Sequence, residues 1–453
     1  MKEGTYTMKK FLALLLSMSM VFALAACGGG STETPAPEGS APADGGSGDA
    51  EVTRITLWTY PIGQWGGTDP QLDTIIAAFN EAHPEIEVSY ELLDYTNGDT
   101  QVTSAIAASN TPDIIMEGPE RLVSNWGANG LMVDLSDLWA DTESDIAATS
   151  QAVVSACMGA DGNYYEYPLC MTTHCMAINY EVFEQAGALQ YIDEETRTWT
   201  TDGFVAAMEA VAASGLVSTP AIVYCGGQGG DQGTRALVNN LYSGTYTNAD
   251  HTAYTANSPE NVEALTLLQT LVNDGTISAS ASFQASDELQ AFANQTCAVT
   301  FAWNASNKAA YASQAAFTPF AMAFPSDDGV PELCGGIWGF GIFDNGDAAK
   351  IEAAKTFIQF VCDDAVQGPE SVRLTGFFPV RSSFGDVYAG TDQAEQMSEF
   401  QSLMPYLGDY YNVTGGWTEQ RTEWFNMLQR ILISGGDPQT EADAFVEASN
   451  ANI

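Results

Sequence analysis

The stretch Ile55-Thr56-Leu57-Trp58-Thr59 alternates apolar and polar side chains and is rich in β-branched residues, which predicts a first β-strand. A helical pattern follows at residues 72–79, and a second strand pattern occupies residues 86–90. A further helix is predicted around residues 102–106, and the sequence DIIM at 113–116 predicts a third strand. This β-α-β-α-β order predicts an α/β fold whose parallel sheet has helices on both faces, with ligand crevices beyond the carboxyl ends of the strands.

Helices and strands continue along the rest of the chain, without an internal repeat. The helix predicted at 204–214 is expected to be N-capped by Thr201 or Asp202, because their side-chain oxygens accept from free helix N–H groups. The other predicted helices span 122–129, 235–242, 259–274, 287–294, 348–362 and 417–434, and the other predicted strands span 176–180, 297–301 and 335–340. With 45% hydrophobic residues, the chain is long enough to bury two substantial cores.

The N-terminal run from Lys9 to Cys27 has the organisation of an export signal, which assigns residues 1–26 to a signal peptide. Lys9 and Lys10 form a basic region, and residues 11–24 form an apolar region too short for a comfortable membrane span. Small residues before Cys27 resemble a bacterial lipobox, which implies a lipid such as palmitate on this cysteine. An ordinary secretory signal with a chance cysteine is the alternative. Residues 28–50 lack large apolar side chains, so residues 27–50 are predicted to be an acylated cysteine and a disordered tether.

The charge balance limits the partners of the protein. Lys and Arg number 14 against 58 Asp and Glu, a formal net charge of −44. Such a surplus argues against binding to nucleic acid or to anionic lipid. The acids are spread along the chain, so a solvated acidic coat is favoured over a site for a cationic ligand.

Seven cysteines remain after Cys27, at positions 157, 170, 175, 225, 297, 334 and 362. An odd number cannot pair completely within one chain, so buried free thiols and one or two disulfides both stay open. The cysteines and the three histidines do not have the spacing of a metal site. No metal and no other cofactor is therefore predicted.

Eight segments in collinear order carry a resemblance to a known family. They are ITLWTY (55–60), FNEAHPEIEV (79–88), NTPDIIM (110–116), GNYYEYPL (162–169), INYEVFEQAGAL (178–189), TWTTDGF (198–204), AFANQTCAVTF (291–301) and LTGFFPVR (374–381). Together they resemble the extracellular solute-binding proteins of ABC importers, the group similar to maltose- and oligosaccharide-binding lipoproteins. The resemblance covers essentially all of residues 51–453.

The resemblance implies a two-lobed periplasmic-binding-protein-like fold of type II, with the ligand cleft between the lobes and closure by a hinge. Lobe one would comprise residues 51–168 plus 320–375, and lobe two residues 169–319 plus 376–453. The chain would cross between the lobes near 167–174, 317–324 and 377–380.

Aromatic residues are the first candidates for ligand binding. A sugar presents hydroxyl groups at its edge and C–H patches on its faces, so its site needs flat rings and a few directed polar groups. The candidates are Tyr60, Trp65, Trp303, Trp338 and Trp417, with Gln64 beside Trp65. In similar proteins a stacking ring lies at the position of Trp303, and the glycines around Trp338 permit close approach of a ligand. Packing beneath its own loop is the alternative for Trp65, whereas Trp58 and Trp424 are predicted to be core residues.

Glu117, Glu120 and Arg121 follow the third strand, where ligand contacts are expected. Similar proteins often carry an acid–arginine pair at the positions of Glu120 and Arg121, which accepts from and donates to sugar hydroxyls. A surface ion pair is the alternative. Tyr167 at the first crossing is also predicted to bind ligand. Weaker candidates are Thr172, Thr173 and His174, and Asp113 is predicted to be structural.

These observations predict a monomeric, lipid-anchored binding protein outside the cytoplasm that captures a carbohydrate, in particular an oligosaccharide, by hinge closure. It would deliver the solute to the membrane-spanning permease subunits of an ABC importer, and no catalytic residues are predicted. A polyamine or other cation is the alternative solute. An adhesin and a cell-surface glycoside hydrolase are the alternative classes, although the chain shows no nucleophile motif and no series of eight β/α units. A lipid anchor is most needed without an outer membrane, which favours a single-membrane bacterium.

Overall fold

The computed structural model describes residues 52–66, 71–94, 97–227 and 229–453. The predicted signal peptide, Cys27 and the tether lie outside these residues. The strands are β1 (Thr53–Thr59), β2 (Ile86–Leu92), β3 (Ile114–Glu117), β4 (Tyr167–Thr173), β5 (Cys175–Asn179), β6 (Ile222–Tyr224), β7 (Ser278–Ser280), β8 (Val299–Trp303), β9 (Pro319–Met322), β10 (Gly335–Ile342) and β11 (Phe378–Pro379).

The α-helices surround these strands on both sides. They are α1 (Leu72–Ala82), α2 (Gly98–Ala107), α3 (Pro119–Arg121), α4 (Ser136–Trp139), α5 (Glu143–Thr149), α6 (Gln151–Cys157), α7 (Tyr180–Ala186), α8 (Thr201–Ser214), α9 (Gln232–Leu241), α10 (Pro259–Asn273), α11 (Ala285–Ala293), α12 (Ala305–Tyr311), α13 (Ala348–Asp363), α14 (Gln367–Thr375), α15 (Ala394–Gln401), α16 (Trp417–Leu428) and α17 (Pro438–Asn450). Short 3₁₀ turns occur at Ala188–Tyr191, Ser382–Phe384, Met404–Tyr406 and Tyr411–Val413, and π turns at Leu122–Gly127 and Gln429–Ile433.

The first lobe is built on a six-stranded sheet with the order β11-β4-β10-β3-β1-β2. β1 runs parallel to β2 and β3, which confirms the arrangement predicted from the β-α-β-α-β order. β10 runs antiparallel to both β3 and β4, so the complete sheet is mixed. Alternate residues of β1 such as Ile55 and Leu57 are buried in a core that includes Phe79 of α1 and Phe357 of α13.

The second lobe has a three-stranded sheet, β8-β5-β9, in which both pairings of β5 are antiparallel. β6 and β7 form a separate parallel pair beside it. A second hydrophobic core packs around these strands and includes Phe183, Phe204 and Trp424. The fold is therefore α/β with two lobes, each having its own core.

The chain passes between the two sheets at narrow junctions. β4 of the first sheet ends at Thr173 and β5 of the second sheet begins at Cys175, so His174 alone separates them. The chain returns to the first sheet between β9 and β10, and β11 is its last strand in that sheet. The predicted lobe boundaries themselves stay predictions.

Most predicted elements are present, but their ends differ, and some elements such as β6 and β9 were not predicted; β8 lies two residues later than the strand predicted at 297–301. Thr200 caps α8, because its extended backbone lets its hydroxyl accept from the N–H of Gly203 at 3.0 Å; the prediction of Thr201 or Asp202 was wrong. In place of the helix predicted at 122–129, the structure has a π turn at Leu122–Gly127 that continues the single turn α3. The predicted tail helix likewise ends in a π turn after Leu428.

Three predictions about buried residues have clear outcomes. All seven cysteines after Cys27 are buried free thiols, which decides between the two open alternatives. Asp113 is structural as predicted, since it accepts from the N–H of Thr56 at 2.8 Å and from the amide of Asn345 at 2.8 Å. Trp424 is a core residue, fully buried with its N–H donated to Thr234 at 2.9 Å.

Within the described ranges, no helix combines the length and apolar character needed to span a membrane.

Candidate binding cleft

A cavity of about 270 Å³ lies where the chain passes between the two sheets. Its walls come from the loop after β1, the turn after β3, strand β10, the starts of α9 and α12, and the segment around Tyr410. This location matches the crevice expected beyond the carboxyl ends of β1 and β3. A wider groove of about 560 Å³ beside Trp199 lies on the second lobe, where no facing wall closes over it. We therefore take the 270 Å³ cleft as the candidate site.

Trp338 of β10 provides the aromatic surface of the cleft. Its ring is half-buried and lines the cavity. Tyr60 supports it from behind, with ring centroids 6.2 Å apart and planes at 63°. Gly98 allows this position of Tyr60, since a Cβ atom there would lie 2.5 Å from the tyrosine hydroxyl. Trp338 is thus an indole held in place by an edge-on tyrosine, with one face left for a ligand.

Glu120 contributes a carboxylate to the same wall. Pro119 begins α3 and sets the turn after β3, and Gly118 lies so close that a Cβ atom would meet Glu120 at 2.6 Å. The hydroxyl of Tyr410 donates to Glu120 Oε2 at 2.9 Å. Glu120 Oε1 lies 4.0 Å from Arg121 and accepts no hydrogen bond from the described residues. This oxygen is available to a ligand hydroxyl.

Glu117 and Arg121 lie behind Glu120 and do not line the cavity. Arg121 donates two hydrogen bonds to Asp99, at 2.7 and 2.8 Å, and its Nε lies 3.3 Å from Glu117 Oε1. Burial raises the pKa of Glu117 to about 7, although Arg121 opposes this effect. Burial disfavours the charged form of Arg121, but Glu117 and Asp99 raise its pKa above the usual range. The charge of Arg121 is therefore balanced by neighbouring carboxylates.

The second lobe contributes amide side chains to the opposite wall. Gln232 begins α9, and Asn304 is the N-cap of α12, where its Oδ1 accepts from the N–H of Asn307 at 2.8 Å. Asn307 donates its own amide to the carbonyl of Ala302 at 2.8 Å. Ser306 lies between them on the same wall. Because a cap needs an acceptor and a carbonyl needs a donor, these bonds fix which end of each amide faces the cleft.

Asn412 completes this wall and is oriented from behind by Arg235. Arg235 donates to Asn412 Oδ1 at 2.9 Å and also pairs with Asp231, with 2.8 Å between the atoms. Arg421 donates to the other oxygen of Asp231 at 2.9 Å. Burial raises the pKa of Asp231, but Arg235 and Arg421 lower it below the usual range. The three groups form a buried ionic cluster at the start of α9.

Trp417 lies between the ionic groups of the two lobes. The guanidinium of Arg421 lies 4.0 Å from the centroid of its ring, and that of Arg121 lies 4.8 Å from it. The residue is buried, and its indole N–H has no hydrogen-bond partner among the described residues. Trp417 therefore packs against one cation from each lobe. It does not line the 270 Å³ cavity.

The floor of the cleft is the junction between β4 and β5. Thr172 and His174, two of the weaker candidates, line the cavity there. Burial and the nearby Arg235 lower the pKa of His174 to about 4. The imidazole is therefore neutral near pH 7 and offers one donor and one acceptor. Thr173 is fully buried and is not part of the lining.

Four predicted ligand residues lie elsewhere. Trp65 is fully buried, donates to the Thr59 hydroxyl at 3.0 Å and packs in the core of lobe one, as its alternative stated. Trp303 is fully buried against Phe292. Tyr167 points into lobe one, where its hydroxyl donates to Asp363 at 2.7 Å. Gln64 is exposed, and its backbone N–H docks on the carbonyl of Leu374.

Several lining residues were not found from the sequence. They are Gln232, Asn304, Ser306, Asn307, Tyr410 and Asn412. A signal existed for Asn304, which lies three residues after the predicted strand 297–301 and directly follows β8. The glycine-rich sequence before Asp231 also marked the loop from which Gln232 begins its helix. Nothing local distinguishes the other four from ordinary polar loop residues.

Two α/β lobes that enclose a polar and aromatic cleft at their junction define a two-lobed solute-binding protein. The profile of the bacterial extracellular solute-binding protein family matches residues 74–402. The chain therefore belongs to this family of binding proteins, which places it outside the cytoplasm. No curated protein matches the sequence.

Solved structures show the same fold at low sequence identity. An ABC transporter solute-binding protein of Thermotoga lettingae bound to α-D-tagatose has a TM-score of 0.70 at 17% identity, covering 88% of this chain and 99% of that one. The cyclic α-maltosyl-1,6-maltose binding protein of Arthrobacter globiformis has a TM-score of 0.70 at 20% identity, covering 88% and 98%. UgpB of Mycobacterium tuberculosis in complex with glycerophosphocholine has a TM-score of 0.68 at 17% identity, covering 88% and 98%.

Proposed function

We propose that this protein is a lipid-anchored, monomeric solute-binding protein that captures a carbohydrate in the interlobe cleft and delivers it to an ABC importer. The observation that carries the proposal is the pairing of one supported indole, Trp338, with a facing wall of oriented amides. A sugar ring stacks its C–H face on an indole, while its hydroxyl groups both donate and accept hydrogen bonds.

Capture by closure follows from the division of the site between two lobes. Trp338 and Glu120 belong to the first lobe, and Gln232, Asn304 and Asn307 belong to the second. A solute bound to one wall gains further hydrogen bonds when the other wall approaches, so it favours the closed form by its differential affinity. The narrow junction at His174 is a suitable hinge because few backbone dihedrals must change there.

The size of the cleft indicates the size of the solute. About 270 Å³ is near the lower end of the range of about 300–1,000 Å³ that is usual for ligand clefts. A short saccharide fits this volume.

The site does not support the two main alternatives. A glycoside hydrolase needs two carboxylates about 5–10 Å apart that flank the scissile bond, whereas Glu120 is the one carboxylate among the described lining residues. A polyamine needs several unpaired acids, yet Asp99 and Glu117 are both engaged by Arg121.

Isothermal titration calorimetry of the purified mature protein against a panel of mono- and oligosaccharides, with polyamines and peptides as comparison ligands, tests this proposal. A bound sugar will stabilise the folded protein by about 2.7 kcal/mol at 100 times its Kd, which thermal unfolding detects independently. Binding of a sugar without turnover supports the proposal. Turnover of the sugar, or binding of spermidine with no sugar bound, contradicts it.

The lipid anchor and the importer need a separate experiment. Expression of the full chain in a single-membrane bacterium should place it in the membrane fraction, and a Cys27→Ala variant should be released to the medium. Retention of that variant on membranes would contradict the anchor. Loss of sugar uptake on deletion of the gene, restored by the full chain, would support delivery to an importer.

A further inference from the structure

We infer that the cleft admits uncharged polyhydroxy solutes and excludes anionic sugars, and that Glu120 is the residue that sets this discrimination. The inference deepens the proposed function and rests on it. Among the described residues that line it, Glu120 is the one charged side chain, while His174 is neutral near pH 7.

Cations are present close to both walls, but each is engaged by another group. Arg121 is bound to Asp99 and Glu117 and lies 4.0 Å from Glu120 Oε1, and Arg421 is bound to Asp231. Arg235 pairs with Asp231 and donates to Asn412. Lys308, next to the lining residue Asn307, pairs with Glu399. A carboxylate or phosphate on a solute would therefore enter a site with no available cation, and it would face Glu120.

The uncommitted polar atoms of the lining match hydroxyl groups. Asn304 uses its oxygen as the helix cap, so its NH₂ group faces the cleft as a donor. Asn307 uses its NH₂ group on a carbonyl, so its oxygen is an acceptor. Glu120 Oε1 is a second acceptor, because only the other oxygen receives Tyr410. A hydroxyl satisfies donors and acceptors alike, whereas an anionic oxygen satisfies donors alone and leaves both acceptors unpaired.

Glu120 is the specificity-determining group in this set because its charge is placed for repulsion. Its position is fixed from two sides, by the Tyr410 hydroxyl and by the close backbone of Gly118. It has little freedom to turn away from an anion. An amide in its place keeps the bond from Tyr410 and removes the charge, so Glu120→Gln separates the effect of charge from that of shape.

The test compares matched neutral and acidic sugars, glucose with glucuronate and galactose with galacturonate, by calorimetry at pH 7.5. For wild type we expect the Kd of the acidic sugar to be at least about 100 times that of its neutral partner; this ratio is the gap. Added salt should reduce the gap, because salt screens the repulsion. In Glu120→Gln the gap should fall to about tenfold or less. The control Glu209→Gln, which changes the same charge on the exposed face of α8, should leave the gap unchanged.

The outcomes separate this inference from the function it rests on. Binding of both members of a pair within threefold by wild type overturns the inference and leaves sugar capture standing. So does an unchanged gap in Glu120→Gln. If neither member of any pair and no sugar of the wider panel binds, the proposed function fails and the inference falls with it. Should Glu120→Gln not fold, Glu120→Ala takes its place, and an unchanged ratio of the two Kd values in that variant likewise overturns the inference.

Discussion

Each lobe places an acid–arginine pair four residues apart at a turn from strand to helix, but the two pairs have opposite surroundings. Glu117 ends β3 and Arg121 lies in the turn after it, and Asp231 and Arg235 come after β6 at the start of α9. In lobe one, a single arginine is shared with a second carboxylate, Asp99. In lobe two, a single carboxylate is shared between two arginines, because Arg421 also pairs with Asp231. The same local pattern thus produces an acidic cluster in one lobe and a basic cluster in the other.

Because of this difference, the contributions of the two clusters to stability change with pH in opposite directions. Burial raises the pKa of Glu117 to about 7, so the folded state binds a proton there that the unfolded chain has already lost. Its contribution to stability therefore decreases as pH rises from about 4.5 to about 7. Asp231 is also buried, but its two arginines lower its pKa, so its contribution is complete at neutral pH and decreases as pH falls through the acidic range.

The largest expected effect comes from removal of the shared acid in lobe two. Asp231→Asn leaves two buried guanidinium groups without a counter-charge, which should lower the free energy of unfolding by about 3–5 kcal/mol. The matched variant Asp99→Asn removes a half-exposed partner of Arg121 and leaves Glu117 in place. It should cost less than about 1 kcal/mol. Urea unfolding at pH 7.5 measures both, and equal costs would contradict the contrast between the clusters.

The second prediction concerns the pH dependence of lobe one. Glu117→Gln removes the raised pKa, and one pKa unit corresponds to about 1.4 kcal/mol. The free energy of unfolding of wild type should fall relative to the variant by about 2 kcal/mol between pH 5 and pH 8. Urea unfolding across this range measures the difference. The exposed Glu81→Gln serves as the control and should run parallel to wild type; a variant whose stability falls as steeply as wild type would show that Glu117 does not carry the effect.

The third prediction tests whether lobe one supplies the stacking surface. Trp338→Ala should weaken binding of the cognate sugar by about 30-fold, which corresponds to about 2 kcal/mol for an aromatic contact at the centre of a site. Trp338→Phe should recover part of this loss. Trp303→Phe changes a buried indole that does not line the cavity and should leave the Kd within threefold. Isothermal titration calorimetry measures these Kd values. A larger loss of affinity in Trp303→Phe than in Trp338→Ala would show that the aromatic contact lies in lobe two.

How far the sequence predicted this molecule depends on the kind of pattern. The strands and helices around residues 55–116 were predicted because hydrophobic periodicity is local, and the order of elements led to Glu120, which lines the cavity. Trp65 and Trp303 share the strand-end positions that suggested binding, yet both turn inward. Their orientation is set by partners distant in sequence, which no local pattern records.

The amide wall of lobe two escaped prediction for a different reason. Asn304 and Asn307 act through the capping of one short helix, and Asn412 acts because Arg235, 177 residues earlier in the chain, fixes its oxygen. Asparagine is common in loops, so its presence alone carries little information about a site. The partner that orients such an amide, here Arg235 for Asn412, is distant in sequence and is seen only in the three-dimensional structure.

The smallest expected effect comes from removing the contact that orients Glu120. Tyr410→Phe removes the hydroxyl that donates to Glu120 and should weaken sugar binding by about fivefold, in line with about 1 kcal/mol for one hydrogen bond. The loss should exceed that of Tyr406→Phe, whose hydroxyl donates to an exposed backbone carbonyl at 3.2 Å. Combining Tyr410→Phe with Glu120→Ala, which removes the acceptor as well as the charge, in a double-mutant cycle isolates the coupling between the two side chains. If the two losses simply add, Tyr410 does not act through Glu120, and the acidic wall of lobe one is positioned by its own backbone turn.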